Sequence, residues 1–165
     1  MILLDSHDTP RFRTIINGDK SKHTAAMTML MTYPGVPSIF MGDEIGLEGK
    51  SGEDARRTIN WSNRSGWDHD FLAEVKKLTK LRRTEDAFIN GGLRWVAAED
   101  NYLAYLRESK KSKVLVVIVA KPCTVEIDLS KFGYKISKTL YGQKATGNKI
   151  KFKSNGATQG VWKLS

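Results

Sequence analysis

With Cys123 as its one cysteine, the chain can form no internal disulfide, so the fold must be held by packing, and a reducing compartment suits it. No low-complexity linker or internal repeat interrupts the 165 residues, and the apolar and charged fractions are those of a globular protein. No apolar run approaches the roughly 20 residues that cross a bilayer, and Met1 to Leu4 is too short for a secretory leader. These absences point to a cytoplasmic protein with no membrane partner. His7, His23 and His69 are isolated from one another and show no metal-ligand spacing. No P-loop, dinucleotide fingerprint or Ser-His-Asp order is present, so neither a metal nor a cofactor is expected.

Acidic residues are scarce in one half only. Through Glu85, 13 Lys and Arg face 12 Asp and Glu; from Asp86 onward, 14 face 6, which places most of the net charge of +9 there. The excess is lysine, spread singly along strand-like runs such as "KIKFK" and "KISK". A nucleic-acid surface clusters its basic residues and mixes in arginine or exposed aromatics, so solvated strand faces and protected edges explain the pattern better. A basic nucleic-acid module therefore ranks last among the functions considered.

What is present changes character near Gly91-Gly92. Before it, "SKHTAAMTMLMTYPG" has Ser21 as a candidate N-cap and Ala26, Met27, Leu30 and Met31 at helical spacing, and it stops at Pro34-Gly35. "VPSIFMGDEIG" reads as a short buried parallel-type strand ending in a glycine-and-acid turn. A charged, glycine-rich loop runs from Gly46 to His69. A second helix is predicted from a cap at Asp70, with Phe71, Val75, Leu78 and Leu81 on one face. After Gly92 come seven strand-like runs, from "LRWVAAE" to "GVWKLS", of which "VLVVIV" is apolar throughout and reads as a central strand. The fold class is therefore α+β: strand, helix, strand, helix, then a small antiparallel sandwich with Greek-key-like connections. Two domains are expected, residues 1–88 and 89–165. Two parallel strands and two helices cannot cover their own faces, so the first of these reads as a piece of a larger body.

The chemistry-bearing residues concentrate at the start. In "MILLDSHDTPRF" an apolar run ends in Asp5, His7, Asp8 and Arg11, as at the tip of a barrel strand. "LLDSHDTPR" resembles the fourth conserved region of the α-amylase family of glycoside hydrolases, at the end of the seventh strand of their (β/α)8 barrel. The wording is closest to the neopullulanase, cyclomaltodextrinase and maltogenic amylase branch. "YPGVPSIFMGDEIG" is similar to that family's eighth strand and the turn after it, although tyrosine is more usual where Met41 stands. "ARRTINW" and "FLAEVKKLTKLRR" with "NGGLRWV" resemble the following loop and the eighth helix leading into the family's C-terminal antiparallel domain. The likeness covers the whole chain in order.

The resemblance implies the last two β/α units of the barrel followed by the C-terminal sandwich, in a retaining α-glucan hydrolase acting on maltodextrins, cyclodextrins or pullulan. It makes Asp8 the carboxylate that grips sugar hydroxyls in the transition state, with His7 donating to the same sugar. Arg11 reads either as a support of the loop, like Arg13, or as a substrate contact. Trp61 and Trp67 read equally as sugar-stacking platforms or loop anchors. The family's nucleophile and acid/base lie on the fourth and fifth strands, for which no segment here stands, so the chain alone is expected to be inactive. Asp43 and Glu44 are the one pair that could substitute, and local hydrogen bonding is the simpler reading of them. The expected partners are an α-glucan in the intact parent, the missing barrel segment and, for the fragment, a second copy. A non-catalytic carbohydrate-binding module is the competing function; it would need Trp95, Trp162, Tyr102 and Tyr105 exposed as a row on the sandwich.

Overall fold

The computed structural model describes all of residues 1–165, and the chain divides into two compact units. The first holds residues 1–31 and 35–79; the second holds residues 32–34 and 80–165. No helix is long and apolar enough to cross a membrane.

In the first unit the opening apolar run forms β1 (Ile2–Leu3), parallel to β2 (Pro37–Ser38) in the register Ile2↔Pro37 and Leu3↔Ser38. The short strand expected in "VPSIFMGDEIG" is thus two residues long and half-buried rather than buried. The chain of β1 bends at Leu4, which ends the ladder, and the glycine-and-acid segment forms a 3-10 turn at Asp43–Ile45. A short helix, α1 (Phe12–Ile15), follows β1, and the sequence carried no periodic signal for it because four residues span barely one turn. The longer α2 (Lys20–Thr32) begins one turn-residue earlier than the expected cap: Asp19 Oδ1, not Ser21, accepts the Lys22 N–H at 3.0 Å. Its inward side is His23, Ala25, Met27, Leu30 and Met31. In α3 (His69–Thr84), most of which lies in this unit, Asp68 rather than Asp70 caps the start by accepting the Phe71 N–H at 3.2 Å. Phe71, Val75 and Leu78 are buried, as helical spacing predicted.

The second unit is built on strands at the places where the runs alternate. β3 (Gly92–Ala98), β4 (Tyr102–Glu108), β5 (Lys113–Val119), β7 (Ile136–Gly142) and β9 (Thr158–Leu164) form one antiparallel sheet in the order β3-β4-β5-β9-β7. β6 (Cys123–Asp128) and β8 (Lys149–Ser154) form a second, two-stranded sheet. All seven runs are strands. β5 is the middle strand of five, which is why Val114 to Val119 are buried on both faces. In β6 the period-2 pattern buries Val125 and Ile127 and leaves Thr124 and Glu126 outside, Glu126 pairing across the sheet with Lys151 at 2.5 Å. One apolar cluster joins the sheets: Leu106, Leu115, Val117, Val125, Ile127, Ile150 and Trp162. Gly160 makes room for it, since a Cβ there would stand 2.0 Å from the Trp162 ring.

The opposite face of the larger sheet is organised by a cation. Arg107, 2% exposed, donates to the carbonyl oxygens of Thr32 at 2.5 Å, Gly91 at 2.7 Å, Gly92 at 3.3 Å and Phe88 at 3.4 Å. Phe88, Gly91 and Gly92 lie within or just after α4 (Asp86–Asn90), a helix too short for the sequence to reveal, and Thr32 is the last residue of α2. Tyr105 shares a 2.6 Å hydrogen bond with Thr32 Oγ1, and its burial pushes its phenol well above the ordinary value.

Candidate functional site at the end of β1

The residues after β1 form a turn of side-chain-to-backbone bonds: Asp8 N–H donates to Ser6 Oγ and Ser6 N–H to Thr9 Oγ1, both at 3.2 Å. The turn pushes His7 and Asp8 outward. Their side chains are 65% and 70% exposed, with His7 Nε2 3.2 Å from Asp8 Oδ2. Both therefore offer polar atoms to solvent at the carboxyl end of a parallel strand, where barrel enzymes place their chemistry.

Arg56, which the sequence reading did not single out, joins them. Its Nε donates to the His7 carbonyl at 3.1 Å and its guanidinium comes to 3.8 Å from Asp8 Oδ1. The available signal was "ARRTINW" itself, where two adjacent arginines precede the exposed Trp61.

Arg11 takes the supporting role. It is wholly buried and has no surface to offer a sugar, which corrects its placement among the substrate contacts. Its Nε donates to the Ala55 carbonyl at 2.9 Å, its Nη1 lies 3.2 Å from Asp43 and 3.8 Å from Asp5, and its plane covers the Phe40 ring at 4.1 Å. Asp5 in turn accepts the Phe12 N–H at 2.6 Å. Burial first, and then Asp5 alongside, push the Asp43 carboxyl up to about 8 against the pull of Arg11. Asp43 thus holds its proton to higher pH than a free carboxyl and belongs to the foundation of the tip. Glu44 accepts the Gly42 N–H at 2.8 Å, so neither acid stands free as a substitute nucleophile.

Arg13 braces the other side, 2.9 Å from Asp68 and stacked over Phe71 at 5.0 Å. Burial works against the Asp68 carboxylate, but the Phe71 N–H, Lys20 and Arg13 outweigh it and hold its pKa below the usual value. Gly46 lets Arg13 pass: it sits at φ +71°, and a Cβ there would be 2.6 Å from the guanidinium.

The loop aromatics are placed differently from one another. Trp61 is 63% exposed and stands edge-on to Trp67, centroids 5.4 Å apart. In the second unit Trp162 and Tyr105 are fully buried and Tyr102 is half-buried, so only Trp95 among the four sandwich aromatics is exposed, and no binding row exists there. No cluster of three His, Cys, Asp or Glu side chains is arranged to hold a metal.

The profile of the alpha amylase catalytic domain matches residues 1–103. The chain is 38% identical over 118 residues to a cyclomaltodextrinase of a Bacillus species, covering 70% of this chain and 21% of that one. It is 36% identical over 118 residues to neopullulanase 2 of Thermoactinomyces vulgaris, covering 70% of this chain and 20% of that one. The chain thus spans about a fifth of the length of these curated relatives. Among solved structures, the debranching enzyme of Nostoc punctiforme superposes with a TM-score of 0.79 at 24% identity, covering 98% of this chain and 35% of that one, which speaks for the fold alone.

Proposed function

The chain belongs to the alpha-amylase family, and from that premise we propose that it is the C-terminal part of a retaining α-glucan hydrolase of the cyclomaltodextrin, maltodextrin and pullulan class. In this reading residues 1–88 supply the last two β/α units of a (β/α)8 barrel and residues 89–165 its Greek-key sandwich. The observation that carries the proposal is the exposed His7–Asp8 pair, 3.2 Å apart, at the carboxyl end of β1.

Asp8 accepts hydrogen bonds from hydroxyls of the sugar at the cleavage point, and those bonds tighten as the ring flattens toward an oxocarbenium ion. Such a strengthening contact supplies several kcal/mol in glycosidases. His7 donates to the same sugar, and Trp61 offers a stacking face. Retention needs a nucleophile and an acid/base about 5–5.5 Å apart; Asp5 and Asp43 are buried beneath the tip and Glu44 is engaged locally. Those two carboxylates are assigned to earlier strands of the barrel. The same strands, or a second copy of this chain, would cover the exposed Leu3 and Val36.

The test is turnover of β-cyclodextrin by a polypeptide that joins the first six β/α units of a family member's barrel, which carry its nucleophile and acid/base, to residues 1–165. Asp8→Asn should lower kcat by several orders of magnitude with little change in KM, and residues 1–165 alone should release no maltose. A fully active Asp8→Asn enzyme would overturn the proposal.

A further inference from the structure

Three asparagines, Asn17, Asn90 and Asn155, are each followed by glycine. An asparagine is chemically labile when the next main-chain nitrogen can reach its side-chain carbonyl carbon. Glycine permits that best, having no Cβ to crowd the approach and the freest backbone. All three asparagines are exposed, so burial does not separate them. Their hydrogen bonds do.

The nitrogen after Asn17 is tied down. The Gly18 N–H donates to the Arg13 carbonyl at 2.9 Å, and the Gly18 carbonyl accepts from Arg13 Nη1 at 3.2 Å. Asn90 ends α4 and is tied at both groups: its NH2 donates to Asp86 at 2.7 Å, and the Gly91 N–H donates to the Ala87 carbonyl at 3.1 Å.

Asn155 differs. It stands in the connection 155–157, where the chain leaves the two-stranded sheet after β8 and enters the five-stranded sheet at β9. Its side chain makes no hydrogen bond. The Gly156 N–H has only the Ser154 hydroxyl, at a long 3.4 Å, and that hydroxyl is itself directed to the Gly156 carbonyl at 2.6 Å. The attacking nitrogen is therefore nearly unrestrained, and its target carbonyl is free to turn toward it.

We propose that Asn155–Gly156 is a modification site of the folded chain, the pair at which it deamidates. The Gly156 nitrogen bonds to the side-chain carbonyl carbon of Asn155 and gives up its proton. The bond from that carbon to the side-chain NH2 breaks, and ammonia leaves with the proton. Water then opens the cyclic imide at one carbonyl or the other, which gives aspartate or isoaspartate. Aspartate puts a carboxylate two residues from Lys153; isoaspartate adds a carbon to the main chain just before the strand that carries Trp162. Neither consequence depends on the proposed hydrolase function.

The experiment is incubation of the folded chain in mildly alkaline 18O-labelled water, followed by mass analysis of its peptides. The peptide with Asn155 should lose ammonia and gain labelled oxygen at least about tenfold faster than those with Asn17 and Asn90, where reaction waits for local opening. In urea the three should react at similar rates. Gly156→Ala suits the fold, since a Cβ there meets nothing within 4 Å, and it should slow the loss at Asn155 about tenfold by crowding the nitrogen. Asn17 or Asn90 reacting as fast as Asn155 in the folded chain would overturn the proposal. So would an intact Asn155 in folded chain whose urea-treated control reacts, or an unaltered rate in Gly156→Ala.

Discussion

Arg11 Nη1 lies 3.2 Å from Asp43 Oδ1, and both side chains are wholly buried beneath the turn that carries His7 and Asp8. The pair ties the residues after β1 to the 3-10 turn after β2, while Arg11 Nε fixes the loop at Ala55. The exposed tip thus stands on a closed polar foundation whose charges never meet solvent, and that foundation should respond to pH.

Asp43 gives the first expectation. Its carboxyl titrates near 8 in the fold and at 3.8 when unfolded, because burial and then Asp5 outweigh Arg11. The folded state therefore binds the extra proton between about pH 4 and 8, and stability falls as pH rises through that window. The slope approaches about 1.4 kcal/mol per pH unit for one proton. Asp43→Asn, neutral at every pH, should flatten it; denaturant unfolding of both proteins from pH 6.5 to 8 reads the difference.

His23 slopes the other way. It stacks on Phe71 at 4.1 Å, and burial first, then Arg13, lower it from 6.5 to about 3 despite the opposing charge of Asp68. The unfolded chain binds the proton that the fold refuses, so stability is lost as pH falls from about 6.5 toward 3. Between pH 4 and 6.5 the two groups offset each other. Below 4 the His23 term stands alone, and His23→Leu should remove it. An imidazolium signal from His23 at pH 5 by NMR would contradict this account.

Arg107 is expected to be the most sensitive single position of the second unit. Its removal takes the guanidinium donors from the carbonyls of buried Thr32 and Phe88 and of the less buried Gly91 and Gly92. At about 1–3 kcal/mol for each acceptor left unsatisfied, Arg107→Met should cost about 3 kcal/mol or more. Arg107→Lys should recover only part of that, because an ammonium cannot fork to separated carbonyls. Calorimetric unfolding of the three proteins orders them.

The elements legible in the sequence were those whose pattern repeats. Seven strands could be read because alternation in runs such as Thr124 to Leu129 or unbroken apolarity in Val114 to Val119 records burial residue by residue. α2 and α3 were legible through Met27, Leu30, Phe71 and Val75, but their caps were not: Ser21 and Asp70 are as good chemically as Asp19 and Asp68, and only the path of the chain chooses. α1 and α4 are too short to carry a period. At the site, adjacency made His7 and Asp8 visible. Arg11 stayed open between support and substrate contact because an arginine in sequence next to a catalytic tip looks the same whether it faces the ligand or the floor, and Arg56 was missed because it arrives from 49 residues away.

His7 offers the sharpest division between holding a sugar and holding the fold. Its side chain is 65% exposed, and its contact is with Asp8, whose side chain is 70% exposed, so the pair adds little to stability. The carbonyl that anchors Arg56 belongs to the backbone and survives any substitution. His7→Ala should therefore unfold within about 0.5 kcal/mol of the parent protein. In the full hydrolase the same change removes a donor that strengthens toward the transition state, and kcat/KM should fall by about 100-fold, the scale of one such bond. A large loss of stability with kcat intact would make His7 a structural residue; the opposite pair of results would place it on the sugar with Asp8.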